Sequence, residues 1–309
     1  MSTLHFSVYR LHFTSPLHIG DVRDDYGISL KYITSDAMYA AMTATLAKMG
    51  ETIPADGDLG CSISSLFPFC TDGDRTLYFF PRPLSVSFAG IPQEQLKKAK
   101  NANWLSLADF EKVLQNNEAL VPNQNNEMSP STFIESRVSE RVTVSRSGED
   151  AKPFYMDRVS FRGNSGLYFL VEGDTTLVET VLPLLALEGI GTDRNIGNGA
   201  FTFTKDTIAL KVPDDAAYCV SLSTFIPDSQ RVSSLLDDKA AYELIRRSGW
   251  ITTPPYKHIR KNAIYAFSSG SVFKAIASGA GRIVNLAPEG LVEHPIWRCG
   301  KAVLIPIRL

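Results

Sequence analysis

The chain has 309 residues, of which 44% are hydrophobic, 10% aromatic and 21% charged; that supply of apolar side chains builds a full core and excludes a disordered or fibrous chain. A formal net charge of −2 excludes a surface that is basic throughout, as a free nucleic-acid binder often has. The total hides a split. Residues 244–309 carry ten Lys and Arg against two acids, Glu289 and Glu293, a net of +8, while the 243 residues before them carry 21 basic and 31 acidic side chains, a net of −10. One end of such a chain suits a polyanion, the other a basic partner or a face turned away from it. Four cysteines, Cys61, Cys70, Cys219 and Cys299, stand far apart and never as C-x-x-C, which predicts free buried thiols in a reducing compartment. With no basic-then-apolar leader and no apolar run of about 18 residues, a soluble, cytoplasmic chain without membrane contact is expected.

Residues 4–13 alternate apolar with polar, the period of a half-buried strand with Leu4, Phe6, Val8 and Phe13 near the core. After a break at 15–21, Ser35 and Asp36 open a helix through Met49, with Met38, Met42 and Leu46 at helical spacing and Gly50 as its stop. Residues 66–69 and 77–81 follow, the second a strand that ends at its proline. Residues 96–117 read as one or two short polar helices and 116–130 as an exposed loop. Residues 137–146 alternate for ten positions and are mirrored by 154–161 across 147–150, a β-hairpin with a polar, arginine-bearing tip. A buried strand at 166–172, an apolar helix at 177–187 and a strand at 200–204 complete the order β-α-β…β-α-β, that of a split βαβ or ferredoxin-like sheet. Past Pro213 the pattern starts over, with strands at 217–224, 264–267, 272–273 and 302–307 and a short helix at 240–247. The expected fold class is α+β, in two units, 1–212 and 213–309, the second holding the basic excess.

The densest local signal is four glycines in eleven residues, Gly189, Gly191, Gly197 and Gly199, with Arg194, Asn195 and Asn198 among them. Glycine admits φ > 0 and bares amide N–H groups, which is how loops cradle phosphates. A dinucleotide fingerprint needs G-x-G-x-x-G after a strand and before a helix; here that order is reversed and Arg194 stands at the third glycine. No G-K-[ST] occurs. Two readings stay open: a loop that holds a sugar-phosphate backbone, or a tight structural turn. Upstream, His18 stands beside Gly20 and Asp21 just past the first strand. A histidine there serves as a general base at a 2′-hydroxyl, as a stacking ring or as a structural hydrogen bonder, and no partner acid is in view. Arg137, Arg141 and Arg146 are read onto one hairpin face with Ser139 and Thr143, either as a basic ribbon along RNA or as a solvated charged hairpin beside Glu135, Glu140, Glu149, Asp150 and Asp157. Asp36, Asp56, Asp58, Asp72 and Asp74 read as cap and turn acids. No H-E-x-x-H, G-x-S-x-G or dense Asp/Glu/His cluster occurs, so no catalytic residue, metal or cofactor is expected.

Taken in order, Pro-Leu-His-Ile-Gly-Asp at 16–21, Ser35-Asp36, Ser-Ser-Leu-Phe-Pro-Phe at 64–69, Tyr-Phe-Phe-Pro at 78–81, Glu-Arg-Val-Thr-Val-Ser-Arg at 140–146, Gly-Leu-Tyr-Phe-Leu-Val at 166–171, the glycine loop, and His-Pro-Ile-Trp-Arg-Cys-Gly at 294–300 resemble the fourth subunit of Csm complexes. These are RAMP-superfamily proteins of type III-A CRISPR effectors. The resemblance covers nearly the whole chain and implies two tandem ferredoxin-like (RRM-like) domains, with a hairpin thumb at about 133–165 and a glycine-rich loop at 189–199. It also implies a non-catalytic subunit that grips the repeat-derived 5′ handle of the CRISPR RNA near the target RNA, partnered by the large polymerase/HD-domain subunit and a backbone RAMP subunit. By position, Gly189, Gly191, Arg194, Gly197 and Gly199 match the family's loop, His18 and Gly20 its first-strand loop, and Arg141 and Arg146 its hairpin. Thr192 and Asn195 stand where such loops commonly carry Ser or Gly. Two rivals remain: a RAMP endoribonuclease cutting precursor CRISPR RNA with His18 as general base, and the equivalent subunit of the related Cmr complex.

Overall fold

β1 (Ser2–Phe13) runs unbroken for twelve residues through the middle of a mixed α/β architecture in which antiparallel strands predominate. The computed structural model describes residues 1–20, 26–120, 128–143, 152–290 and 293–309. After α1 (Ser35–Met49) come β2 (Cys61–Ile63), β3 (Phe67–Asp72), β4 (Arg75–Pro81), α2 (Gln93–Asn101), β5 (Trp104–Ser106) and α3 (Leu107–Asn116). A short α4 (Pro130–Phe133) leads into the hairpin β6 (Ile134–Thr143) and β7 (Lys152–Phe161), followed by β8 (Ser165–Gly173), α5 (Thr176–Glu188) and β9 (Phe201–Val212). One sheet takes its strands in the order β5-β4-β3-β8-β1-β9, with β2 also paired to β8.

The expected half-buried first strand is buried on both faces along its centre. Alternate side chains of a strand point to opposite sides, and here each side has its own cover. Tyr9 and Leu11 pack with Met38, Tyr39, Met42 and Leu46 of α1 and Val178, Val181, Leu182 and Leu185 of α5. Phe6 and Val8 face the other way, into a core shared with Phe110, Val113 and Leu114 of α3. α1 begins at Ser35 as expected, but Thr34 at its N-cap makes no side-chain cap bond; the Ser35 amide donates instead to Ser65 Oγ at 3.1 Å. Gly50 ends the helix in the left-handed region at φ 77°, a conformation that costs glycine little.

The remaining elements are short: β10 (Tyr218–Ser221), α6 (Val232–Leu235), β11 (Leu244–Arg247), β12 (Ile264–Phe267), β13 (Val272–Lys274), β14 (Ile283–Asn285), β15 (Trp297–Cys299) and β16 (Leu304–Ile307). They form a three-stranded sheet, β13-β10-β16, and two ribbons, β11-β12 and β14-β15. The helix expected over 240–247 is a strand at 244–247. Leu-Ile-Arg-Arg forms helices readily, but four residues are too few to hold a helix against an available ladder, and β11 pairs in full with β12. Val220, Leu222, Val272, Val303, Ile305 and Ile307 lie in the same core as Phe6, Val8 and Leu210, so the sheets of the two halves pack face to face.

Candidate nucleic-acid interface

The glycine loop is built by close backbone approach. Gly189, Gly191, Gly197 and Gly199 all have positive φ, between 73° and 97°. A Cβ on Gly199 would stand 1.9 Å from the Ile190 carbonyl oxygen, one on Gly189 2.5 Å from that of Asn198, and one on Gly191 2.5 Å from that of His18. Three of the four glycines are therefore required by packing within the chain, as the structural-turn reading has it. Gly197 differs: nothing lies within 4 Å of its Cβ position. It closes a 3₁₀ turn, Arg194–Ile196, at the exposed outer edge. There Arg194, Asn195 and Gly191 line an open depression of about 440 Å³ with Lys48, Glu188 and Asp193. Lys48 Nζ pairs with Glu188 at 2.7 Å across its rim. Asn198 is buried, and its Nδ2 has no hydrogen-bond partner among the described residues.

His18 ties this loop to the hairpin. Its carbonyl accepts from the Thr192 amide at 2.9 Å, and its Nδ1–H donates to the Asp157 carbonyl at 2.7 Å. A carbonyl can only accept, so Nδ1 carries a proton. The ring is 1% exposed. The Asp157 carboxylate accepts from Ser136 Oγ at 2.6 and 2.7 Å and from the Ser29 amide at 3.1 Å, while Leu17 and Val159 exchange backbone bonds at 2.8 Å. Gly20, exposed, lies next to this junction. The structure thus brings His18, Gly20 and the glycine loop together at the hairpin base, with His18 in a hydrogen-bonding, packed role.

On the hairpin, Arg137 stands opposite Arg158, Ser139 opposite Met156, and Arg141 opposite Phe154. Arg137 is exposed and Arg141 half-buried. Arg158 adds a third cation to that face, one that alternation within β6 alone does not reveal. Arg146 lies outside the described residues, as does the tip at 147–150; nine positions from Arg137, it also lacks the even spacing that a shared strand face requires. The opposite face carries Val138, Val142 and Tyr155, all more than half exposed, so the hairpin is two-sided. Its Val-Thr-Val alternation held that signal.

Asp36, expected as a cap acid, is a fully buried ionic hub. Arg247 Nε and Arg298 Nη1 each reach its Oδ2 at 2.7 Å, and Thr224 Oγ1 donates to Oδ1 at 3.0 Å. Burial pushes the carboxyl upward, but the two guanidiniums and the Thr34 hydrogen bond outweigh it and hold Asp36 at about 2. Lys261 lies beside the cluster; burial and the repulsion of Arg298 and Arg247 bring its ammonium down to about 8. Asp58 likewise binds Lys301 Nζ at 2.8 Å. These contacts cross between residues far apart in the chain, which no local spacing could show. All four cysteines are buried and unpaired. Among the described residues, no group of three or more His, Cys, Asp or Glu is placed to hold a metal, and no helix is long and apolar enough to cross a membrane.

Residues 214–307 match the CRISPR Csm4 C-terminal domain family. A curated relative, CRISPR system Cms protein Csm4 of Thermococcus onnurineus (strain NA1), is 26% identical over 72% of this chain and 74% of its own. The Csm4 of Streptococcus thermophilus is 23% identical over 82% of this chain and 84% of its own. The C-terminal third of the chain thus matches the Csm4 C-terminal domain family, and the chain is similar to Csm4 proteins along most of its length. Its fold matches chains of solved structures over nearly its full length: one from a Csm1–Csm4 cassette in complex with cA4 at TM-score 0.63, 20% identity and 99% coverage of both chains, and one from a Csm3–Csm4 subcomplex of the type III-A CRISPR-Cas interference complex at TM-score 0.61, 15% identity and 99% and 100% coverage.

Proposed function

We propose that this Csm4-like chain is a non-catalytic RNA-binding subunit of a type III-A CRISPR effector, which holds the repeat-derived 5′ handle of the CRISPR RNA. The observation that carries it is the outer edge formed by half-buried Arg194 with exposed Asn195 and Gly197, fixed through His18 to the base of a hairpin whose one face gathers Arg137, Arg141 and Arg158. Backbone amides and one guanidinium on a rigid turn suit the phosphates of a single strand, and a basic hairpin beside it suits the adjoining guide and target RNA. The strand order β9-β1-β8-β3, with α1 and α5 on one face, supports a split βαβ unit over 1–212, followed by a second, basic unit over 213–309. Similar chains solved in a Csm1–Csm4 cassette and a Csm3–Csm4 subcomplex support a place between the large subunit and a backbone subunit, in an effector we place in the cytoplasm. Chemistry is assigned elsewhere in the effector, because the buried, carbonyl-bonded His18 ring is poorly placed to meet a 2′-hydroxyl.

The test is to co-express the chain with its large subunit and a guide array, recover it by a tag and sequence the bound RNA. Guides sharing one intact 5′ end are expected. Arg194→Ala is expected to weaken handle binding by about 1–3 kcal/mol, as for a charge-assisted contact, in a filter-binding titration. Site-specific cleavage of precursor RNA by the purified chain alone, abolished by His18→Ala with binding retained, would establish the endoribonuclease instead.

A further inference from the structure

Half of the C-terminal basic excess sits on a ribbon that neither the glycine loop nor the hairpin involves. From Tyr242 to Phe267 the chain carries five cations, Arg246, Arg247, Lys257, Arg260 and Lys261, and one acid, Glu243. β11 and β12 place Arg246 opposite Tyr265 and Leu244 opposite Phe267, and directly opposed residues of an antiparallel pair share a face. The two segments stay together beyond the strands, through a bridge between Trp250 and Arg260 and a bond from the Lys261 amide to the Gly249 carbonyl at 3.0 Å.

The ribbon sorts its cations. Arg247 turns inward to Asp36, and Lys261 is drawn into the same buried cluster. Arg246, Lys257 and Arg260 stay exposed. So do large flat or apolar side chains around them: Tyr265 at 64%, Leu244 at 52% and Tyr242 at 45%. The Arg260 guanidinium lies 4.9 Å from the centroid of the Trp250 ring, which shows the geometry this surface offers to a planar group. Trp250 follows Arg246 by four positions, up to about 13 Å of extended chain, so the ribbon spans a tract of chain rather than one base.

An exposed ring directly beside a guanidinium, with further cations along the same ribbon, matches single-stranded nucleic acid: a base stacks on the ring and the phosphates take the cations. We propose that the β11–β12 ribbon is a second contact for single-stranded RNA, with Tyr265 as its stacking ring and Arg246, Lys257 and Arg260 as its phosphate contacts. Tyrosine and arginine also recur in protein interfaces. On its exposed surface three cations, Arg246, Lys257 and Arg260, stand against one acid, Glu243, which decides for a polyanion. The assignment goes beyond handle binding and does not require it.

The experiment titrates the full chain against a fluorescein-labelled oligouridine by anisotropy. Tyr265→Ala is expected to weaken binding about five-fold or more, as for loss of one stacked base, and Tyr265→Phe to restore it. Arg246→Glu with Arg260→Glu is expected to weaken binding and flatten its salt dependence. Thermal unfolding of each variant separates lost contact from lost fold, and Tyr265 is exposed enough for its midpoint to stay put. Ribbon variants that bind like the parent overturn the proposal. So does a parent chain that fails to bind, or ribbon variants that keep RNA but no longer co-purify with the large subunit, which would make the ribbon a protein interface. Arg194→Ala in the same assay keeps the two readings apart: loss there alone supports the glycine loop and overturns the ribbon, and loss at the ribbon alone does the reverse.

Discussion

β1 and β9 pair over twelve residues, whereas the longest ladders past residue 213 run four. The difference extends to the cores. The cluster between the large sheet and α1 and α5 is drawn almost wholly from the first 201 residues, with Cys299 as its one fully buried guest. The cluster that the C-terminal half owns outright is small: Cys219, Phe225, Leu235, Phe267, Phe273, Ala302 and Leu304. Six of its other buried apolar residues, Val220, Leu222, Val272, Val303, Ile305 and Ile307, share a core with the N-terminal sheet, and its arginines Arg247 and Arg298 close on Asp36 at the start of α1. A repeat of sequence pattern near Pro213 is thus not a division of the hydrophobic core; small units with few residues of their own gain stability by borrowing a neighbour's surface.

The strongest way to break that comparison is Asp36→Ala. Arg298 would be left buried, and Arg247 half-buried, without their carboxylate, at a cost of about 3–5 kcal/mol. A single cooperative urea transition at a lower midpoint is expected; two separate transitions, only one of them shifted, would mean that the halves fold independently. Next comes Gly199→Ala, whose Cβ meets the Ile190 carbonyl at a positive φ. About 2–4 kcal/mol is expected, read as a fall in denaturation midpoint.

Acid probes the same hub more gently. Asp36 sits lower in the folded chain than a free carboxyl, so its contribution of about 2 kcal/mol is complete above the ordinary carboxylate range and is lost as pH falls through about 2. Lys261 works in the opposite sense. Its folded ammonium releases its proton at about 8 while the unfolded chain keeps it, so stability rises as pH climbs from about 8 toward the ordinary lysine range. Lys261→Met should erase that rise in a pH series of thermal melts; a rise that persists would assign it to another group. The smallest effect is expected at Gly197→Ala, about 1 kcal/mol from its φ alone, because its Cβ position is empty. A drop in RNA affinity well beyond that loss would sharpen the contrast between the loop's one outward glycine and its three inward ones.

Long elements announced themselves in the sequence. α1, α5, β1 and the β6–β7 hairpin are ten or more residues each, enough turns or alternations for the apolar period to stand out. β2, β5, β14 and β15 have three residues each; three positions carry no period, and each strand exists because a partner supplies the ladder. β11 shows the same limit in reverse, with helix-prone residues recruited as a strand. At the interface, the glycine spacing correctly marked a place of close approach but not which surface approaches. Three of the contacts proved to be with Ile190, Asn198 and His18 of the same chain. The meeting of Asp36 with Arg247 and Arg298 spans more than 200 positions and left no trace in local pattern, and neither did the ribbon's division of its cations into inward and outward sets.

The packing of Gly189, Gly191 and Gly199 has a kinetic consequence. Glycine-rich segments are usually the most disordered part of a chain before a ligand arrives, and ordering them then subtracts from affinity. Here the backbone of the loop is ordered during folding, by carbonyls of its own and of the His18 segment. On the proposed function an incoming RNA strand would meet amides and a guanidinium already in place, and its association would be limited by encounter and orientation rather than by waiting for the loop to form.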